Sequence, residues 1–178
     1  MNDKKLADRA VYKVLIKAPI ETVWSELVNT FSPRPFFWNS KWDTPSFAPG
    51  NVYRMISKDS RTVGVVGRIL EIDPPRRLVT SFRLTAVDDA ASTVTYTLTE
   101  TPEGTEFCLV TENVVAGSKS EKSMAQGARF IVDNFKAYVE TGKVTLGARI
   151  MLAMYALMAP LAPKAMRAEQ WPLDKAPS

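Results

Sequence analysis

Apolar and polar positions alternate along much of this chain. From Ala10 to Lys17, Val14 and Ile16 alternate with Lys13, Leu15 and Lys17, and the spacing predicts a strand. Ala18-Pro19 breaks it, and Pro19 suits the first turn of a helix, where its missing N–H costs little. Ile20, Val23, Trp24, Leu27, Val28 and Phe31 then recur at helical spacing, in a helix expected to end before Pro33. Residues 32–50 hold four prolines and the aromatics Phe36, Phe37, Trp38, Trp42 and Phe47, with no single period. They read as a long loop with room for a short helix, and loops of this length are often functional lids.

Beyond residue 50 the pattern predicts strands over 51–57, 62–72, 77–85, 92–100 and 105–114. Turns at Asp73-Pro74-Pro75-Arg76 and Pro102-Glu103-Gly104 are short, so neighbouring strands should be antiparallel. Over 119–142 the period changes: Met124, Ala128, Ile131, Phe135 and Tyr138 form one stripe, with Phe130 and Asn134 beside it. A helix from about Ser120 to Gly142 follows, on the order of 30 Å long. The predicted class is α+β: six to seven antiparallel strands wrapped around the long helix, whose stripe meets the concave face.

Strand phase sorts the side chains. Arg68, Arg77, Arg83, Glu106 and Glu112 should face water. That turns Val65, Gly67, Ile69, Leu78, Thr80, Phe82, Leu84, Val94, Tyr96, Leu98, Phe107, Leu109, Thr111 and Asn113 inward, opposite Met124, Phe130, Ile131, Asn134 and Tyr138. Thr80, Tyr96, Thr111, Asn113 and Asn134 are the informative members. A polar group buried without a partner costs about 1–3 kcal/mol, so each bonds to protein or water, or faces a ligand. The candidate ligand-binding set is Trp24, Phe37, Trp38, Trp42, Thr80, Phe82, Tyr96, Leu98, Leu109, Thr111, Asn113, Phe130, Ile131 and Asn134. Within it the aromatics of the loop are expected to close one end of the cavity.

Composition narrows the chemistry. Of 178 residues, 46% are apolar and 24% charged, which suits one folded domain with a real core. The net charge is +4, from 23 basic and 19 acidic residues, and is scattered, so no nucleic-acid partner is expected. There is no histidine, which removes Ser-His-Asp and Cys-His catalysis and nearly all zinc chemistry. The single cysteine, Cys108, excludes an internal disulfide and should be an inert thiol on the outer face. Glu71, Glu100 and Glu112 have outward phase and read as solvated surface rather than paired acids. No phosphate loop or metal-ligand spacing is present, and no cofactor is expected. The opening residues 1–6 lack an apolar signal core, so a cytoplasmic location is expected.

Several motifs resemble the SRPBCC (START-like, helix-grip) superfamily, and within it the homologues of the activator of the heat-shock-protein-90 ATPase. They are Ala18-Pro19-Ile20-Glu21-Thr22-Val23-Trp24, the hairpin Gly67-Arg68-Ile69-Leu70-Glu71-Ile72-Asp73-Pro74-Pro75-Arg76-Arg77-Leu78, the next hairpin through Val94–Glu100 and Gly104–Phe107, and Gly127-Ala128-Arg129-Phe130 onward to Lys143. The likeness covers roughly residues 10–143. Where the family commonly places tryptophan after the helix glycine, this chain has Ala128, which would widen the cavity. The resemblance implies a cavity between sheet and last helix, used in the family for lipids, polyketides, hormones or other apolar ligands. It supplies no shared catalytic triad.

The expected division is therefore a START-like domain over 1–143 and an apolar helical extension with a proline-containing tail over 144–178. The run 144–159 has Arg149 as its only charge and is too short to span a bilayer, which needs about 20 apolar residues. Apolar nearly all round, it should be buried: over the cavity mouth, on the outer sheet, or against a second subunit in a homodimer. Membrane-surface contact is the weaker alternative, since basic residues are few before Lys164 and Arg167. Pro160, Pro163 and Pro172 suggest a mobile end. Three functional readings follow: binding or carriage of an apolar small molecule (lipid, polyketide or aromatic); a chaperone-associated interaction domain; and a cyclase-type enzyme positioning its substrate with Tyr96, Asn113 and Asn134.

Overall fold

The computed structural model describes residues 5–174. The readings made on residues 1–4 and on the last four residues of the tail lie outside them. Seven strands form one sheet: β1 (Ala10–Ile16), β2 (Ser40–Asp43), β3 (Val52–Ser57), β4 (Val63–Asp73), β5 (Arg77–Leu84), β6 (Ser92–Thr101) and β7 (Gly104–Glu112). Their order is β1-β7-β6-β5-β4-β3-β2, with every neighbouring pair antiparallel. Two helices belong to this body, α1 (Ile20–Leu27) and α2 (Lys119–Thr141), and a third, α3 (Leu146–Met158), follows. This is the expected α+β helix-grip architecture.

The long helix is fixed at both ends by local chemistry. Ser118 precedes α2, and its hydroxyl accepts the Glu121 N–H at 3.1 Å, while the Glu121 carboxylate accepts the Gly117 N–H at 2.7 Å. Gly142 takes φ 74°, and its N–H closes the last turn on the Tyr138 carbonyl. Met124, Ala128, Ile131, Val132 and Phe135 are buried from this helix. Lys136 Nζ reaches the Leu15 carbonyl at 2.6 Å and so ties α2 to β1.

Gly67 of β4 is required by close approach. A Cβ there would lie 2.0 Å from the Ser81 carbonyl oxygen and 2.8 Å from the Tyr53 ring. Tyr53 lies across that gap and donates its hydroxyl to the Ser81 carbonyl at 2.9 Å.

Three expectations need correction here. The first helix ends before Pro33 as expected, but already at Leu27, so the stripe read through Val28 and Phe31 overran it. The Asn29 side chain accepts the N–H groups of Phe31 and Ser32, a local turn that competes with helix, and Trp42 Nε1 takes the Leu27 carbonyl at 2.8 Å. Phe31, read as part of the helix stripe, is 90% exposed. Residues 32–50 hold the short helical turn for which the loop had room, at Pro35–Phe37, but also the edge strand β2, which was not expected.

The third correction concerns the extension. Only Ala148 and Leu152 of α3 are buried, so the burial expected for an apolar helix is missing over most of its length. The helix is docked at its base and protrudes beyond it, and every residue from Ala153 to Leu161 is exposed. The chain then returns to the outer face of the sheet. Arg167 bridges to Thr62, and the Ala168 N–H donates to the Arg61 carbonyl at 2.9 Å. Ala168 and Trp171 pack on Ile56, Val63 and Val66, a second small core. Trp171 Nε1 donates to the Ala165 carbonyl, its own carbonyl accepts from Arg54, and the Arg83 guanidinium lies over its ring. Through residue 174 the proline-containing end is thus held, not loose. Among the described residues no single helix is long and apolar enough to cross a membrane.

Candidate functional site

Sheet register arranges the concave face in rows. Ala10, Thr111, Val94, Thr80 and Ile69 pair across five strands in one row. The next holds Tyr12, Leu109, Tyr96, Leu78 and Ile72. Leu98 and Phe107 follow in a third. Leu78, Thr80, Val94, Tyr96, Leu98, Phe107, Leu109 and Thr111 are all buried, as their phase requires. Phe82 and Leu84 continue β5 as partly buried members.

What lies between this face and α2 differs from expectation. Phe36, Phe37 and Trp42 do not close one end of an open cavity; they are 0%, 5% and 2% exposed and occupy the interior. Phe36 packs on Phe135 and Tyr138 of α2, with centroids 4.7 and 5.4 Å apart. Trp42 packs on Tyr53 at 4.8 Å and on Tyr96 at 6.4 Å. Phe37 joins the two, 4.8 Å from Phe36 and 5.8 Å from Trp42. A relay of rings from residues 36–42 therefore links helix to sheet. An open surface groove of about 390 Å³ lies elsewhere, between Lys17–Ile20 and Glu100–Gly104. A second, of about 10 Å³, lies beside Trp171.

Trp38 behaves differently from its neighbours. It is partly exposed, and its backbone is left-handed at φ 53°, as is that of Asn39 at φ 56°. A bulky residue rarely adopts this conformation. Here it lays the indole on α2, stacked on Phe130 with centroids 4.6 Å apart. Gly127 makes room: a Cβ there would meet the Trp38 ring at 3.2 Å. Trp24 and Phe130 are likewise only partly buried at the edge of the core, while Ile131 is buried. Arg34 anchors the same loop, pairing with Glu26 at 2.9 Å and donating to the Tyr138 hydroxyl at 3.1 Å.

The five inward polar candidates separate into three groups. Asn113 is a correction: it is exposed, left-handed at φ 59°, and donates to Thr93, because β7 ends one residue earlier and the turn reverses its phase. Asn134 is buried as expected, but protein satisfies it. It donates to the Phe130 carbonyl and accepts from both the N–H and the hydroxyl of Thr145, so it braces the start of α3. The trio Tyr96, Asn113 and Asn134 therefore does not converge on one point. Thr80 lies 3.4 Å from the Tyr53 hydroxyl.

Tyr96 and Thr111 remain. They are 2% and 6% exposed, and no side-chain hydrogen bond engages either hydroxyl among the described residues. Burial pushes the Tyr96 phenol well above its ordinary range, and the nearby Tyr53 adds to the shift. Burial raises Tyr53 too, partly opposed by its bond to Thr80. Both phenols are held as neutral donors. Tyr53 was absent from the sequence candidates. The one available signal was Gly67 opposite it in the register, a small residue that admits a ring. Cys108 lies on the outer face, with its thiol raised by burial more than neighbouring Lys13 lowers it. No group of three or more His, Cys, Asp or Glu among the described residues could hold a metal ion.

No curated protein matches the chain. Solved structures share its fold at low identity. An AHSA1-like protein from Aeromonas hydrophila is 22% identical with a TM-score of 0.56, covering 76% of this chain and 94% of its own. CalU16 from Micromonospora echinospora is 20% identical with a TM-score of 0.56, covering 85% of this chain and 84% of its own. DynU16, from the dynemicin biosynthetic locus, is 23% identical with a TM-score of 0.60; the match covers 78% of this chain but only 49% of DynU16. The family model of the Activator of Hsp90 ATPase homolog 1-like proteins matches residues 17–140. Spanning the first helix, strands β2 to β7 and nearly all of α2, that match establishes that the chain belongs to the Activator of Hsp90 ATPase homolog 1-like family.

Proposed function

We propose that this chain binds an apolar small molecule carrying one hydrogen-bond acceptor on the concave face between β6, β7 and α2, in the place that the rings of residues 36–42 occupy in the free protein. The observation that supports this most is Tyr96, a ring 2% exposed on the concave face whose hydroxyl makes no hydrogen bond among the described residues. A ligand carbonyl or hydroxyl would give that donor a partner. Thr111, one row along, offers a second hydroxyl. The surroundings are Leu78, Leu98, Leu109, Phe107 and Trp42, so the rest of the ligand must be apolar. Entry requires the ring relay of residues 36–42 to shift, with Trp38 as its partly exposed edge. One structural relative, DynU16, comes from the dynemicin biosynthetic locus, and its likeness supports the fold that could house such a ligand.

The test is Tyr96→Phe. Removing an unpaired hydroxyl should leave the free protein as stable or raise its melting temperature by about 2–4 °C per kcal/mol recovered. The same change should lower the fraction carrying a small-molecule adduct in native mass spectra of protein purified from its host. A destabilised variant, together with wild-type protein that takes up nothing from a lipid and aromatic panel, overturns the reading.

A further inference from the structure

The protruding end of α3 has chemistry that the interior does not explain. Leu146, Ile150, Met154, Tyr155, Leu157, Met158 and Leu161 are between 57% and 82% exposed. Together they leave an apolar finger in water, fixed at its base by Ala148 and Leu152 and at its return by Ala168 and Trp171. An apolar surface of this kind needs an occupant.

Charge identifies which. From Thr141 to Ala168 the chain has no acidic residue, although acidic residues number 19 in 178 overall. The same stretch carries Lys143, Arg149, Lys164 and Arg167, all exposed. No ion pair engages any of the four among the described residues. Cations therefore flank the apolar tip on both sides in sequence. Two copies docking through this face would bring like charges together, whereas an anionic lipid surface meets both the charge and the apolar tip. The helix has 13 residues, too short to cross a bilayer but long enough to enter one leaflet. Tyr155 is an amphipathic ring of the type that settles at the headgroup level.

We infer that the α3 finger docks the protein on anionic membranes by inserting its tip, with Lys143, Arg149, Lys164 and Arg167 against the headgroups. This goes beyond ligand binding and does not depend on it. The experiment is flotation of the full chain with vesicles of phosphatidylcholine alone and of phosphatidylcholine with about 30% phosphatidylglycerol. Wild-type protein should float with the anionic vesicles at least about fivefold more than with the neutral ones, and release as salt rises. Leu157→Glu with Leu161→Glu should abolish flotation, and Arg149→Glu with Lys164→Glu should reduce it strongly. All four positions are exposed, and circular dichroism of each variant reports that the fold is retained. No flotation overturns the inference, as does equal binding to both vesicles. A dimer in sedimentation velocity that is lost on Leu157→Glu, without flotation, assigns the finger to a second copy and also overturns it.

Discussion

The helices α2 and α3 make an instructive pair. α2 is amphipathic, with Asp133, Lys122 and Glu140 on its polar side, and it buries a clean stripe. α3 is the more apolar of the two and yet the more exposed, with two buried residues. Mean apolarity therefore did not decide burial. What decided it was a partner of matching shape: the concave face receives one helix, and residues 36–42 fill what α2 leaves. By the time the chain reaches α3 that face is fully subscribed, and only the Asn134–Thr145 brace and two small contacts hold it.

This contrast can be broken at its strongest point first. Phe135→Ala removes a ring that touches Phe36 and Phe107 and is 0% exposed. It should cost about 3–5 kcal/mol in urea unfolding. A loss under about 1 kcal/mol would mean that the relay of rings is loosely packed. The second effect is alkaline. Tyr53 and Tyr96 have phenol pKa values raised in the folded state, so their contribution is complete below the unfolded value of about 10 and falls as pH climbs above it. Each should remove up to about 1.4 kcal/mol per pH unit above that value. Ultraviolet titration should then show two of the five tyrosines ionising only with unfolding. Five phenols titrating together in folded protein would refute their burial. The smallest effect is expected on the finger: Leu157→Ala, at a position 82% exposed, should change stability by no more than about 0.5 kcal/mol. A larger loss would show that the tip is covered in solution.

Much of this fold was legible because its signals were periodic. Alternation located β1 and β3 to β7 to within about two residues, and the change of period near Ser120 and the Gly142 stop bounded α2. The site was legible only in part. Phase turned Thr80, Tyr96 and Thr111 inward correctly, since each sits within a continuous ladder. It failed at Asn113, where the ladder had already ended and φ is positive. It could not tell that Asn134 would be satisfied, because Thr145 lies beyond the helix and reaches it through a tertiary contact. Residues 36–42 carry no period, so nothing in their pattern distinguished rings that fill a core from rings that cover one. The exposure of α3 was unreadable for a related reason: composition records that a segment is apolar, not whether a surface remains to receive it.

The return of the chain through Arg167 and Trp171 has a consequence for variation. The outgoing and incoming ends of the finger are anchored by contacts that do not involve its tip. A segment tethered in this way can gain or lose residues at a cost that grows only with the logarithm of its length. Insertions and substitutions near Pro160 should leave the sheet and its helix undisturbed, making this the place where descendants of such a chain can change what they attach to while keeping what they enclose.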